Sequence, residues 1–293
     1  MKRYGFAFWG LLPAQILMIL TVIIPLGIVI AVAFSTKGDY GGFEFKFSVD
    51  SFQRLLFSQG WTDELEYNPQ YMIIVGRSIA LALATSTICL IISFPVAYTL
   101  ALQSERNKTI LIYLVTLPFW TSMIVRIYSW VLILSKNGVL ETTLNSVGIR
   151  FGSEGFLYTN GAMLVGMVYS YAPLMILPVY AAVEKLDHSM IEASHDLYAG
   201  RARTLWRVII PLTWPGMAAG FILVFVPGLG AMLEPMLLGG GKKMMMGNLI
   251  MNQFGIDRNW PFGAAVAIVL LALIMIVLMI KSQMGTNARQ EQA

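Results

Sequence analysis

Glu192-Ala193-Ser194-His195-Asp196-Leu197-Tyr198-Ala199-Gly200, continuing through Arg201, Arg203 and Arg207 to Ile209-Ile210-Pro211-Leu212, is a polar, basic island between long apolar runs. Its charge keeps it out of a bilayer, so the apolar runs on either side read as spans and the island as a loop at one membrane face. Ser189-Met190-Ile191-Glu192 has capping-box spacing, which starts a short helix at Ser189, or at Asp187 as an alternative cap, with Glu192 near the positive dipole end. Gly200 is a natural stop. A second short helix fits residues 202–210: Arg203 and Arg207 share one face at i, i+4, and Pro211 interrupts the hydrogen bonding. Two short helices at a turn form a compact knob on the membrane surface.

The chain outside the island fits this reading. It has 293 residues, 57% hydrophobic and 12% charged, with a mean hydropathy of +0.70. That composition belongs to an integral membrane protein with several spans. Cys89 is the one cysteine, so no intrachain disulfide forms, and in an apolar run it reads as a small buried hydrophobe. His188 and His195 lack metal-motif spacing and read as surface residues. The net charge of +4 is dispersed beside the spans, which does not point to nucleic acid.

In chain order, an uncleaved first span is expected over 8–34, since the run is too long for a signal-peptide core. A polar external loop over 36–70 carries a short amphipathic piece around 51–57. The second and third spans, 72–102 and 109–134, form a helical hairpin because so few polar residues separate them. A fourth span covers 159–183. The fifth, 213–238, starts at Thr213 and Pro215 and is interrupted at Pro227-Gly228-Leu229-Gly230; the sixth covers 261–280. The density of Lys and Arg is higher in the short loops on the island's side, which places that side and both termini in the cytoplasm. The corresponding division is an N-terminal span with its external loop (1–71), a five-helix core (72–281) that includes the basic loop 184–212, and a cytoplasmic tail (282–293).

Two stretches put ionisable groups at membrane depth. Around Leu117-Pro118-Phe119-Trp120, a helix would align Ser122, Arg126 and Ser129 as one polar stripe, with Tyr128 beside it. Arg126 should then face a cavity or an acid, either pairing structurally or lining a pathway. Glu234 follows the Pro227 break, and irregular backbone with a carboxylate marks a water-lined site. Tyr169, Tyr171 and Pro173 either line the same cavity or simply pack. Gly239 to Lys243 superficially suggests a phosphate loop, but no Ser or Thr follows the lysines, so ATP chemistry is not expected in this chain.

The island resembles the EAA loop of type I ABC importer permeases: Glu-Ala-Ala, a glycine after three intervening residues, then nine more to Ile-x-Leu-Pro. Glu192, Ala193 and Pro211 match, Ser194 stands for the second alanine, and Val208 and Ile210 are conservative replacements. Tyr198 occupies the glycine position, and Gly200 is expected to supply the turn in its place. Leu117-Pro118-Phe119-Trp120-Thr121 with Arg126-Ile127-Tyr128, Leu177-Pro178-Val179-Tyr180 with Glu184-Lys185-Leu186-Asp187, and Gly247-Asn248 with Trp260-Pro261-Phe262-Gly263 narrow the resemblance to spermidine/putrescine permeases.

What the resemblance implies is an all-α, six-span permease subunit of the bacterial inner membrane and no enzyme itself, surrounded by lipid. Its partners would be a second permease, a dimeric cytoplasmic ATPase holding ATP and Mg, and an external substrate-binding protein. Glu192, Ala193, Ser194, Asp196, Gly200, Arg203 and Pro211 would couple to the ATPase; Ser122, Arg126, Tyr128, Tyr169 and Glu234 would line the pathway. A polyamine is the expected cargo, with an amino acid, opine or other small organic cation as the alternative. An ion-coupled secondary transporter would instead show two paired broken helices in related halves.

Overall fold

The structure is a computed structural model that describes residues 12–59, 65–148 and 155–290. The basic start at Lys2 and Arg3, the acids Asp63 and Glu64, and the last three residues of the tail lie outside the described residues. Among the described residues, six helices are long and apolar enough to cross a membrane: Leu12–Ala33, Gln70–Ala101, Met123–Ser146, Asn160–Glu184, Arg201–Leu229 and Trp260–Lys281. We name the first α1 and Gln70–Ala101 α3; between them lie the hairpins β1–β2 (Thr36–Lys37, Phe43–Glu44) and β3–β4 (Phe57–Gln59, Leu65–Tyr67) and a helical turn, α2 (Asp50–Gln53). The amphipathic piece expected near residues 51–57 is therefore one helical turn that leads into a strand.

The described residues fall into two compact units, divided at Ile73–Ile74 and at Asn248–Leu249. In the first, α1 packs along the last helix, α12 (Trp260–Gln290). Val32 and Ala33 are buried against Ala264 and Ala265, where short side chains let the two backbones approach. The sixth span thus groups with the first, whereas a division at residues 71 and 281 would place it with the core. Along the rest of α1, Leu17, Val22, Ile23 and Ile28 stay exposed, as a lipid-facing helix requires.

The second unit contains α3 from Ile74 onward, α4 (Glu105–Thr116), α5 (Met123–Leu134), α6 (Val139–Ser146), α7 (Asn160–Glu184), α8 (His188–Asp196), α9 (Arg201–Leu229), α10 (Leu233–Leu237) and the start of α11 (Met246–Phe254). Its principal contact is α7 against α9. A Gly216-x-x-x-Gly220 spacing on α9 makes it possible. A Cβ at Gly216 would lie 2.3 Å from Ala182 Cβ and 2.9 Å from Pro178 O, and one at Gly220 would lie 2.7 Å from Met175 Sδ. Met163, Met167 and Met175 fill the core behind this contact with no exposed surface.

Two expected helices are corrected. The third span is not continuous over 109–134: α4 gives way to a 3-10 turn at Leu117–Trp120, and Thr121 and Ser122 are extended before α5 begins. Pro118 accounts for the break, since it has no amide hydrogen to donate and crowds the preceding turn. In contrast, the fifth span has no break at Pro211. α9 runs from Arg201 through Pro211 and Pro215 to Leu229, with Leu205–Ile209 forming a π turn just ahead of Pro211. The wider turn lets the chain pass the prolyl ring without stopping the helix. The break after Leu229 appears as expected, and α10, carrying Glu234, follows it.

Candidate functional site

The knob consists of α8 and the first turns of α9. Asp187 caps α8, its Oδ1 accepting from the Ser189 amide at 2.9 Å, so the alternative cap is the one used. At the other end the Tyr198 amide donates to His195 O at 2.9 Å and the Ala199 amide to Ser194 O at 3.1 Å. This pair is a Schellman closure, which requires a left-handed residue at the position of Tyr198. Tyr198 has φ +56°. Gly200 is extended, with φ −67° and ψ 158°, and meets nothing where a Cβ would stand. The turn has not moved to Gly200: tyrosine holds the glycine conformation in place, and Gly200 serves as the N-cap of α9.

Ser194 is the residue of this loop that faces inward. Its Oγ lies 2.8 Å from the Thr204 Oγ1, and both side chains are buried. The hydroxyl in place of the motif's second alanine is therefore matched by one on α9, and the bond sets the angle between the two helices. Glu192, Ala193, Asp196, Arg203 and Pro211 all remain exposed. Leu197, Tyr198 and Trp206 are exposed as well, Tyr198 to 95%. Exposed tyrosine, tryptophan and arginine side chains are the types enriched where proteins bind one another.

The second constellation lies among α5, α7 and α10. Glu234 is 0% exposed, and neither carboxylate oxygen has a hydrogen-bond partner. Arg126 is 9% exposed, with Nε and Nη1 likewise unpartnered. Its guanidinium carbon sits 6.0 Å from the centre of the Phe119 ring, at the limit of a cation–π contact. α5 and α10 pack against each other, and the Tyr171 hydroxyl and the Arg126 guanidinium are the polar groups that act on the Glu234 carboxylate. Gly166 on α7 makes the room, since a Cβ there would lie 3.8 Å from Glu234 Cγ and 2.2 Å from Leu238 Cδ1. A buried carboxylate without a donor is worth several kcal/mol less than a bonded one. The site is thus suited to accept from an ammonium group.

The structure brings together Arg126 and Glu234 and leaves out the other three expected pathway residues. Ser122 is the exposed N-cap of α5, Tyr128 is exposed beside the buried Ile127, and Tyr169 packs edge-on to Trp130 at 5.6 Å. Tyr171, two positions on, supplies the inward tyrosine. Residues two apart on a helix point to different faces, but an α7 that is apolar all round gives no signal as to which faces inward.

Comparisons with known proteins agree with this architecture. Residues 93–284 match the family model described as the binding-protein-dependent transport system inner membrane component. The chain is 38% identical to the spermidine/putrescine transport system permease protein PotB of Haemophilus influenzae, over 89% of this chain and 88% of that one. It is 34% identical to the PotB of Escherichia coli, over 90% and 92% of the two chains. Its fold resembles that in a crystal structure of a bacterial alginate ABC transporter in complex with an alginate pentasaccharide-bound periplasmic protein. The TM-score there is 0.72 at 17% identity, covering 98% of this chain and 96% of that one. With six apolar helices, the EAA-like knob in place and most of the chain shared with these permeases, the protein belongs to the family of binding-protein-dependent transport system inner membrane components.

Proposed function

We propose that the chain is one transmembrane subunit of an ATP-driven importer that carries a polyamine of the spermidine/putrescine kind across the bacterial inner membrane. A second permease subunit completes the pathway, a dimeric ATPase holding ATP and Mg docks on the knob, and an external substrate-binding protein delivers the cargo. The knob and both termini lie on the cytoplasmic face. ATPase closure moves α8, and the spans convert between inward-open and outward-open states.

The observation that carries the cargo assignment is Glu234, a fully buried carboxylate with both oxygens unpartnered. A cationic amine entering the bundle needs such an acceptor, and the Tyr171 hydroxyl adds a polar group to the same wall. The names of the related permeases support the same class of cargo. The test is spermidine uptake by proteoliposomes containing the assembled complex. Glu234→Gln should lower kcat/KM on the order of ten- to hundredfold, the loss expected for one charge-assisted interaction, at unchanged complex yield. Full uptake by that variant, or selective uptake of an anion by the parent, would overturn the assignment.

Arg126 favours a second reading. Its free Nε and Nη1 form a fork for a carboxylate, so an amino acid or opine would engage both Arg126 and Glu234. Under that reading amino acids compete with the labelled cargo and Arg126→Met abolishes uptake. Under the polyamine reading they do not compete, and Arg126→Met chiefly lowers assembly.

A further inference from the structure

Beneath the knob, where α7 ends, sits an ionic cluster that neither the EAA resemblance nor the pathway reading uses. Lys108 on the first turns of α4 places Nζ 3.0 Å from Glu105 Oε1 and 3.0 Å from Glu184 Oε1. The Tyr180 hydroxyl donates to the same Glu184 oxygen at 2.6 Å. Lys108 is 12% exposed, far less than the surface lysine of an ordinary loop, while Glu184 is 42% exposed. The two carboxylates hold the Lys108 ammonium above the usual lysine range.

The location gives the cluster its meaning. Glu184 is the last residue of α7, and only Lys185, Leu186 and Asp187 separate it from α8. Leu186 and Ile191, from the linker and α8, share a cavity of about 90 Å³ with Lys108, Glu184 and Tyr98. A displacement of α8 therefore reaches Lys108 by two routes, through the short linker and through side chains around one small cavity. From Lys108, α4 leads to the extended pair Thr121–Ser122 and then to Arg126 on α5. A helix held only by apolar packing can slide past its neighbour, whereas an ion pair at 3.0 Å pins one point of α4 to the end of α7.

We infer that Lys108 is a positioning residue for transport: it clamps α4 to Glu184 so that the broken α4–α5 helix follows the knob. This rests on the docking of an ATPase on the knob proposed above. The clamp acts on coupling and not on docking, since the Lys108 side chain is largely buried whereas Glu192 and Tyr198 are exposed.

The test measures spermidine taken up per ATP hydrolysed, together with ATPase co-purification, in the reconstituted complex. Lys108→Gln should lower the uptake-to-hydrolysis ratio about two- to fivefold, the range of a partly exposed ion pair, with the ATPase retained. Lys108→Arg should restore most of the ratio, and Lys108→Gln combined with Glu184→Gln should be no worse than either alone. An unchanged ratio, a failure of arginine to rescue, additive losses, or loss of the ATPase from Lys108→Gln would each overturn the inference. Glu192→Lys in parallel separates the two ideas. If it keeps the ATPase and full transport, the docking reading fails. If it loses the ATPase while Lys108→Gln keeps a normal ratio, only the clamp fails.

Discussion

Replacing Tyr198 by glycine should stabilise the end of α8. A left-handed conformation costs an L-residue about 1–2 kcal/mol, and glycine escapes that penalty but carries roughly 0.5–1 kcal/mol more chain entropy in the unfolded state. Tyr198 is 95% exposed, so almost no packing is lost with the ring. The net gain is then about 0.5–1 kcal/mol, or a roughly two- to fivefold change in a local opening equilibrium. Hydrogen exchange of the complex in nanodiscs reads this directly, because the Tyr198 and Ala199 amides are the two that close the turn. Their exchange, corrected for intrinsic rates, should slow by that factor in Tyr198→Gly. Gly200→Val should change it by less than about twofold, because Gly200 already has a φ and ψ open to valine. ATPase recruitment should move the opposite way from stability in Tyr198→Gly, since the exposed ring leaves the docking surface. Faster exchange in Tyr198→Gly, or a larger effect from Gly200→Val, would refute the placement of the turn at 198.

Ser194→Ala and Thr204→Val should each destabilise the knob by about 1 kcal/mol, and the double variant by little more than one of them, because both remove the same buried bond; thermal unfolding of the complex checks the non-additivity. Gly216→Leu should abolish assembly, because its Cβ alone would sit 2.3 Å from Ala182 Cβ; the check is complex yield, with Leu223→Met, at an exposed position of the same helix, as a control. Glu192→Lys should leave the permease inserted and stable, since the residue is exposed, while ATPase co-purification falls; a variant that recruits the ATPase normally removes the coupling role.

The apolar runs were legible because bilayer thickness imposes a length, and the knob because charge cannot hide in lipid. Helix continuity was not. Pro118 falls inside an expected continuous span and Pro211 reads as an interruption, yet the first ends a helix and the second follows a π turn within one. The departure at Tyr198 suggested a shifted turn, but the Schellman bonds fix the position of the left-handed residue and leave its identity free. Of the membrane-depth groups, Arg126 and Glu234 announced themselves by the cost of burying charge. Tyr169 and Tyr171 could not be ranked, because α7 is apolar on every side. The grouping of the first and sixth spans rests on alanine contacts with no pattern in sequence to mark them.

The π turn at Leu205–Ile209 carries the equivalent of one surplus residue within an otherwise α-helical rod. One residue corresponds to about 100° of rotation and 1.5 Å of rise. The arginines before the turn are therefore out of phase with a helical wheel drawn from the span, so Arg203 and the residues beyond Ile210 cannot be assigned to faces by one projection. The same surplus is slack for insertions and deletions. A one-residue deletion within 205–209 can be absorbed by return to a regular α-helix, leaving the Ser194–Thr204 contact at one end and the Gly216 contact at the other in their places. A deletion of the same size after Pro211 has no such reserve, and would rotate Gly216 and Gly220 out of the α7 interface.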